Sequence, residues 1–178
     1  MIAAQVIRVV DGDTLEVLVG KRKVRVHVNG VDAPEPDQPW GKEATQALAQ
    51  MVLGQSVDLE PVGTGSGSRI TAIVFVGEAE VGAALVRAGN AWADRKDLRP
   101  SDVGLCDVEA SARGERLGLW SLPPPKRIAP WLFRLHFLRP AQPQRGAESV
   151  QECKASALRK RGIRRAPAPA VAPAAQDG

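Results

Sequence analysis

Three β-branched runs crowd into the first thirty-one residues, Ala4–Val9, Thr14–Val19 and Lys23–Val31, separated only by Asp11-Gly12-Asp13 and by the turn at Gly20-Lys21. Short runs of this composition, broken by tight Gly/Asp turns, pair locally as an antiparallel meander. Along a strand successive side chains face opposite ways. In the third run Val24, Val26 and Val28 therefore share one face, and Lys23, Arg25, His27 and Asn29 share the other. One face is made to be buried and the other to stay wet. The wet face carries His27 towards Asp32.

The rest of the first 122 residues fits the same frame. Pro34, Pro36 and Pro39 mark an irregular loop. Ala44, Leu48, Met51 and Val52 recur at helical spacing within Gly41–Leu53. Ser56–Pro61 predicts a fourth strand, residues 63–68 a Gly/Ser turn, and Arg69–Val76 a fifth strand. Val81–Ala88 predicts a short helix closed by Gly89. Asp102–Gly118 predicts a third, with Val108, Ala112, Leu117 and Leu119 available for packing. Five strands interleaved with three helices imply a small α+β barrel, and 178 residues suffice for that domain, 1–122, plus a tail.

The tail, residues 123–178, opens on three prolines and is rich in Pro, Ala and Arg. It carries a net charge of +8 against −4 for residues 1–122, so the basic balance belongs to the tail and not to the domain. Trp131, Leu132, Phe133 and Leu135 are expected to dock on the domain or form a short amphipathic turn. The remainder, with Arg159-Lys160-Arg161 and alternating Ala/Pro, is expected to be largely disordered. Such a tail either attracts polyanions or is only a solvated end, and both readings stay open. Cys106 and Cys153 have no metal-ligand spacing. They are expected to be reduced, a helix-to-tail disulfide being the alternative. No secretory signal is visible, and Trp131–Leu138 is too short to span a bilayer. The expectation is a cytoplasmic protein, or a secreted or periplasmic one were a leader to precede Met1.

Chemistry concentrates in two acidic segments, Asp11-Gly12-Asp13-Thr14 and Val31-Asp32-Ala33-Pro34-Glu35. Each sets carboxylates at a strand end, and Arg69 opens a later strand. Together they offer hard oxygen ligands, a general base and a cation for a phosphate, which is the inventory of a metal-assisted phosphodiesterase. Taken singly, each acid reads better as a turn or loop residue, and only the whole pattern favours a site for Asp13, Asp32 and Glu35. Asp11 is expected to shape the turn.

The order DGDT, VDAPE, an arginine opening a strand, Ala84-Leu85-Val86-Arg87-Ala88-Gly89 and Gly118-Leu119-Trp120 resembles the staphylococcal nuclease (thermonuclease) family over roughly Gln5–Leu122. The resemblance implies an OB-fold, a five-stranded β-barrel with three α-helices. It also implies a Ca²⁺-dependent endonuclease that hydrolyses DNA or RNA with little sequence specificity, acting as a monomer without a membrane. By the same resemblance Asp13 and Asp32 match the metal-binding carboxylates, and Ala33 matches a residue whose main-chain carbonyl completes the site. Glu35 matches the general base, and Arg69 one of two arginines on the phosphate.

The family's second arginine falls five residues before Asp32, where this chain has His27. Imidazole lacks the bidentate fork and permanent charge of a guanidinium, so His27 is expected to be a partial substitute, with Arg25 two residues earlier on the same face. The chain also has no tyrosine, whereas the family stacks bases on tyrosines. Asp94, in the stretch that usually bears one, would repel a phosphate. Trp40 is a candidate stacking platform, although Trp40, Trp92 and Trp120 read better as packing residues. These departures define the alternative function, an impaired member of the family that binds nucleic acid or a protein without cutting.

Overall fold

Leu15 and Val17 of the second run and Val26 and Val28 of the third are wholly buried, and the strands that carry them pair as their alternation requires. The computed structural model describes residues 1–64, 69–96, 98–138 and 149–159. In chain order the elements are β1 (Ile2–Val9), β2 (Thr14–Val19), β3 (Arg22–Val28), β4 (Val31–Asp32), α1 (Gly41–Val52), β5 (Ser56–Thr64), β6 (Arg69–Val76), β7 (Ala79–Glu80), α2 (Val81–Arg87), β8 (Trp92–Ala93), α3 (Leu105–Gly114), α4 (Pro130–Leu138) and α5 (Val150–Arg159).

The meander β1–β2–β3 is antiparallel, β5 adds to the free edge of β1, and β6 pairs antiparallel with β5. A parallel pairing of β3 with β6 then closes the sheet into a five-stranded barrel. This is the expected α+β OB-type architecture. Closure leaves no open edge among these five strands. The interior is filled by Val6, Leu15, Val17, Val26, Val28, Leu59, Ala72 and Val74, and α1 and α2 cover it with Ala44, Leu48 and Val52 and with Leu85 and Val86. Each fully buried aliphatic side chain of this kind stabilises the fold by roughly 1.5–3 kcal/mol.

Two features depart from the expected plan. Helix α3 runs only over Leu105–Gly114, buries Leu105, Cys106, Glu109 and Ala112 and packs Val108 against the core, but Leu117 and Leu119 lie beyond its end. Leu119 and Trp120 instead lie in a separate 3-10 turn, 118–121. The chain leaves the helix because Gly118 must approach Gly89: the Leu119 N–H donates to the Gly89 carbonyl at 2.8 Å.

The second departure concerns the tail. Cys106 and Cys153 are joined in a disulfide, against the expectation of reduced thiols, because α5 packs on α3 through Cys153 and Ala157. Helix α4 docks on a third cluster of Trp92, Ala112, Leu119, Trp120 and Ala129 through Trp131 and Leu132. The Gly/Ser turn at 65–68, and the parts of the expected disordered tail at 139–148 and 160–178, lie outside the described residues. Among the described residues no helix is long and apolar enough to cross a membrane.

Candidate active site

The β1–β2 turn, the end of β3, the β4–α1 loop and the start of β6 converge on one side of the barrel, around a cleft of about 590 Å³. Asp11, Asp13, His27, Asp32, Ala33, Glu35 and Arg69 all line it, so the structure brings the residues of the two acidic segments together with His27 and Arg69. Register explains the convergence. His27 pairs with Thr14 on β2 and with Thr71 on β6, and Arg25 lies beside Arg69 across the parallel pairing.

The turn bearing Asp13 is pressed against the β4–α1 loop. A Cβ at Gly12 would lie 2.6 Å from the Ala33 Cβ and 2.9 Å from the Ala44 Cβ, so only glycine permits this approach. Across the contact the Ala33 N–H donates to Asp13 Oδ2 at 2.8 Å. Asp13 Oδ1 accepts from Thr14 Oγ1 at 2.9 Å and faces His27 Nδ1 at 3.2 Å. Asp11 Oδ1 accepts the Asp13 N–H at 3.2 Å, which is the turn-shaping role expected of it.

Asp32 is carried by β4, which pairs with β8: Asp32 pairs with Trp92 and Val31 with Ala93. Strand β8 is fixed from behind by the buried Glu109, which accepts the Ala93 N–H at 2.8 Å and a bidentate grip from Arg95 at 2.9 and 3.0 Å. Arg113 pairs with the same carboxylate. Glu35 sits in the proline loop, held by Gln38, whose N–H donates to the Glu35 carbonyl at 2.8 Å and whose Oε1 accepts the Glu35 N–H at 3.2 Å.

The electrostatics are those of a partly desolvated acid cluster. Burial lifts the Asp11 carboxyl to about 6, and the neighbouring Asp13 adds to the lift. Burial also lifts Asp32 to about 6, with Arg134 pulling the other way. Asp13 is nearly buried as well, which acts upward, yet its bonds from His27, Ala33 and Thr14 hold it below the usual carboxylate range. His27 is correspondingly raised: burial acts downward, and Asp13 outweighs it. Each therefore favours the charged form of the other, Asp13 towards its carboxylate and His27 towards its imidazolium.

Sequence reasoning missed Arg134. It reaches the cleft from α4, about a hundred residues downstream. Its Nη1 donates to Asp32 Oδ1 at 3.0 Å and to Glu35 Oε1 at 2.7 Å, and its Nη2 donates to Asp32 Oδ2 at 2.7 Å. The available signal was one arginine inside an apolar run, three residues after Trp131 on a helical face. Lys96 and Asp94 also line the cleft, and Asp94 is buried with the Lys96 N–H on its Oδ1 at 2.6 Å. No tryptophan or phenylalanine lines the cleft among the described residues. Trp40 donates instead to Asn90 Oδ1 at 3.0 Å, and Trp92 and Trp120 pack edge-to-face in the third cluster.

Asp13 and Asp32, with the Ala33 carbonyl, are hard oxygen donors of the kind that suits Ca²⁺. Among the described residues no group of three or more His, Cys, Asp and Glu side chains is arranged to hold a metal ion. A cation here would therefore rest on two carboxylates and a carbonyl, with water or substrate completing its shell.

The family model described as staphylococcal nuclease homologue matches residues 25–122. Protein ParB of Escherichia coli is 40% identical over 139 residues, 73% of this chain and 77% of that protein. A micrococcal nuclease of Shigella flexneri is 34% identical over 139 residues, 73% of this chain and 79% of its own. An uncharacterized endonuclease of Escherichia coli is 33% identical over 134 residues, 75% of this chain and 85% of its own.

Proposed function

This chain belongs to the staphylococcal nuclease family, and on that footing we propose that it is a nuclease, a Ca²⁺-dependent phosphodiesterase that hydrolyses DNA and RNA with little sequence specificity. The observation that carries the reading is the convergence of Asp13, Asp32, Glu35, His27 and Arg69 on one cleft.

In this reading Asp13, Asp32 and the Ala33 carbonyl hold the ion. When bound, Ca²⁺ supplies a Lewis acid for a non-bridging phosphoryl oxygen. Glu35 accepts a proton from water as the water oxygen attacks phosphorus and the ester oxygen opposite departs, taking a proton from solvent. Arg69 binds the same phosphate and opposes the negative charge that develops on it. His27 holds Asp13 and offers its second nitrogen to the phosphate. With no tryptophan or phenylalanine in the cleft wall among the described residues, contact with substrate runs through phosphate, which supports weak sequence preference. The Cys106–Cys153 bond supports residence in an oxidising compartment, where such bonds persist.

The test is cleavage of single-stranded DNA and of RNA in Ca²⁺ and in chelator, by the native protein and by E35Q and D13N. Loss of activity in chelator and a fall of ~10²–10⁴-fold in E35Q are expected. Cleavage that ignores the chelator, or survives both substitutions, would sink the proposed site. Binding without cleavage would assign the chain to the non-catalytic alternative.

A further inference from the structure

We propose that Arg134, supplied by α4 from beyond the 25–122 family domain, is a phosphate-binding residue of this site and fills the place of the guanidinium that His27 lacks. The inference rests on the nuclease reading for its kinetic consequences and on geometry for the rest.

The cleft needs a second bidentate cation, and the nearer candidates are engaged elsewhere. His27 Nδ1 faces Asp13 at 3.2 Å, so the imidazole has one nitrogen left and no bidentate fork to offer. Arg25 donates through Nη2 to Glu16 Oε1 at 3.1 Å, its cross-strand partner on β2. Arg134 alone among the described arginines is bonded to both a proposed metal ligand and the proposed general base. A guanidinium has five N–H donors. The three bonds to Asp32 and Glu35 use the end-on fork, Nη1 and one hydrogen of Nη2. The side edge, Nε–H and the second Nη2–H, bonds neither carboxylate. It is a ready bidentate fork for two phosphate oxygens. A cation taking up an oxygen of Asp32 would release a further donor towards the substrate.

The position of Arg134 is built, not incidental. Trp131 lies one helical turn earlier on the same face. Its ring packs edge-to-face on Trp92 at 5.4 Å, with the Arg95 guanidinium 5.4 Å above it. Trp92 is the strand partner of Asp32, so one ring contact indexes α4 against the strand that carries the carboxylate. Gln38, which holds Glu35, also donates its side-chain N–H to the Ile128 carbonyl just ahead of α4. Base, metal ligand and arginine are therefore tied to one another through two independent links.

The test uses the full chain, with R134A and R134K, and a phosphorothioate-linked oligothymidylate that resists hydrolysis. Thermal unfolding checks that each variant folds. In Ca²⁺, R134A is expected to bind the oligonucleotide about tenfold more weakly, with the slope of log affinity against log salt reduced by ~0.7, one phosphate contact on a single strand. R134K keeps the charge and falls between. Calorimetry at pH 8 without nucleic acid, where Asp32 has lost its proton, is expected to show Ca²⁺ affinity in R134A equal to or tighter than native, since a competitor for Asp32 is gone. Cleavage of ordinary DNA by R134A is expected to fall ~10²-fold. Unchanged oligonucleotide affinity and salt slope would overturn the proposal. So would faster cleavage by R134A, which would make Arg134 a plug on Asp32 and Glu35, or lost Ca²⁺ binding, which would make it a prop for the carboxylates. A native protein that cuts nothing in Ca²⁺ overturns the nuclease reading instead, and the oligonucleotide measurement still decides the role of Arg134.

Discussion

Asp32 is the residue on which the cleft's charges bear most heavily. It is 6% exposed, burial lifts its carboxyl to about 6, Asp13 and Asp94 add to the lift, and Arg134 opposes it. A carboxyl raised in this way keeps its proton in the folded protein between pH ~4 and ~6, where the unfolded chain has already lost its own. Its contribution to stability therefore declines as pH rises through that window. The same proton must leave before Asp32 can ligate a cation. Ca²⁺ affinity is expected to fall about 10-fold or more per pH unit below about 6 and to change less steeply above it. His27, raised by Asp13, reinforces this direction, because its proton also competes for the anionic site. In R134A the midpoint should move upward, since Arg134 is what pulls Asp32 down. Calorimetric titrations between pH 5 and 8 measure this. An affinity that is flat from pH 5 to 7 would remove Asp32 from the ligand set.

Among the elements, α1 and the loop before it set the position of Glu35, and the tightest point is Gly41. A Cβ there would lie 1.9 Å from the Glu35 carbonyl oxygen and 3.0 Å from the Pro36 Cα. Backbone cannot give way as a flexible side chain can, so Gly41→Ala is expected to push the Glu35 loop aside. The cost should be roughly 1–3 kcal/mol of stability and a larger fractional loss of cleavage than of Ca²⁺ binding, because Asp13 and Asp32 ride on other elements. Thermal unfolding and single-turnover cleavage read the two effects; an unchanged melting temperature and rate would show that the loop adapts. The same contrast explains what the sequence could disclose. Strand parity in β1–β3 and the helical spacing of Ala44, Leu48 and Val52 are local signals, and both reappear in the core. The end of α3 is not local. It follows from Gly118 meeting Gly89, where a Cβ on Gly118 would lie 2.3 Å from the Gly89 oxygen. The two-residue strands β4 and β8 are too short to carry a periodicity, yet they hold Asp32. Arg134 was illegible for the same reason, since tertiary contacts, Trp131 on Trp92 and Gln38 on Ile128, bring it to the acids.

For the molecule as a whole, α4 and α5 fold back onto the family domain by two separate attachments among the described residues, and their separation makes a prediction. One is the Cys106–Cys153 bond between α3 and α5, at a sequence separation of 47. Closing a loop of that length removes unfolded-state entropy equivalent to about 4 kcal/mol in the chain-entropy model. The other is the seat of α4, made by Trp131 on Trp92 and Arg95 and by Gln38 on Ile128. Arg134 lies inside the disulfide-closed loop, but the groups that aim it belong to the second attachment. Removing the bond, by C153S or by reductant, is therefore expected to cost ~2–4 kcal/mol in denaturant unfolding and to leave cleavage nearly unchanged where the protein remains folded. Trp131→Ala should do the reverse in emphasis. It opens a gap beside Trp92 costing ~3–5 kcal/mol if the cluster does not collapse, and it lowers cleavage even in protein that is demonstrably folded, because the helix loses its index against β8. Comparing the two variants at matched folded fractions separates general stability from placement of the arginine. Equal losses of cleavage in C153S and W131A would mean that the disulfide, through α5, also positions α4, and that the two attachments act as one.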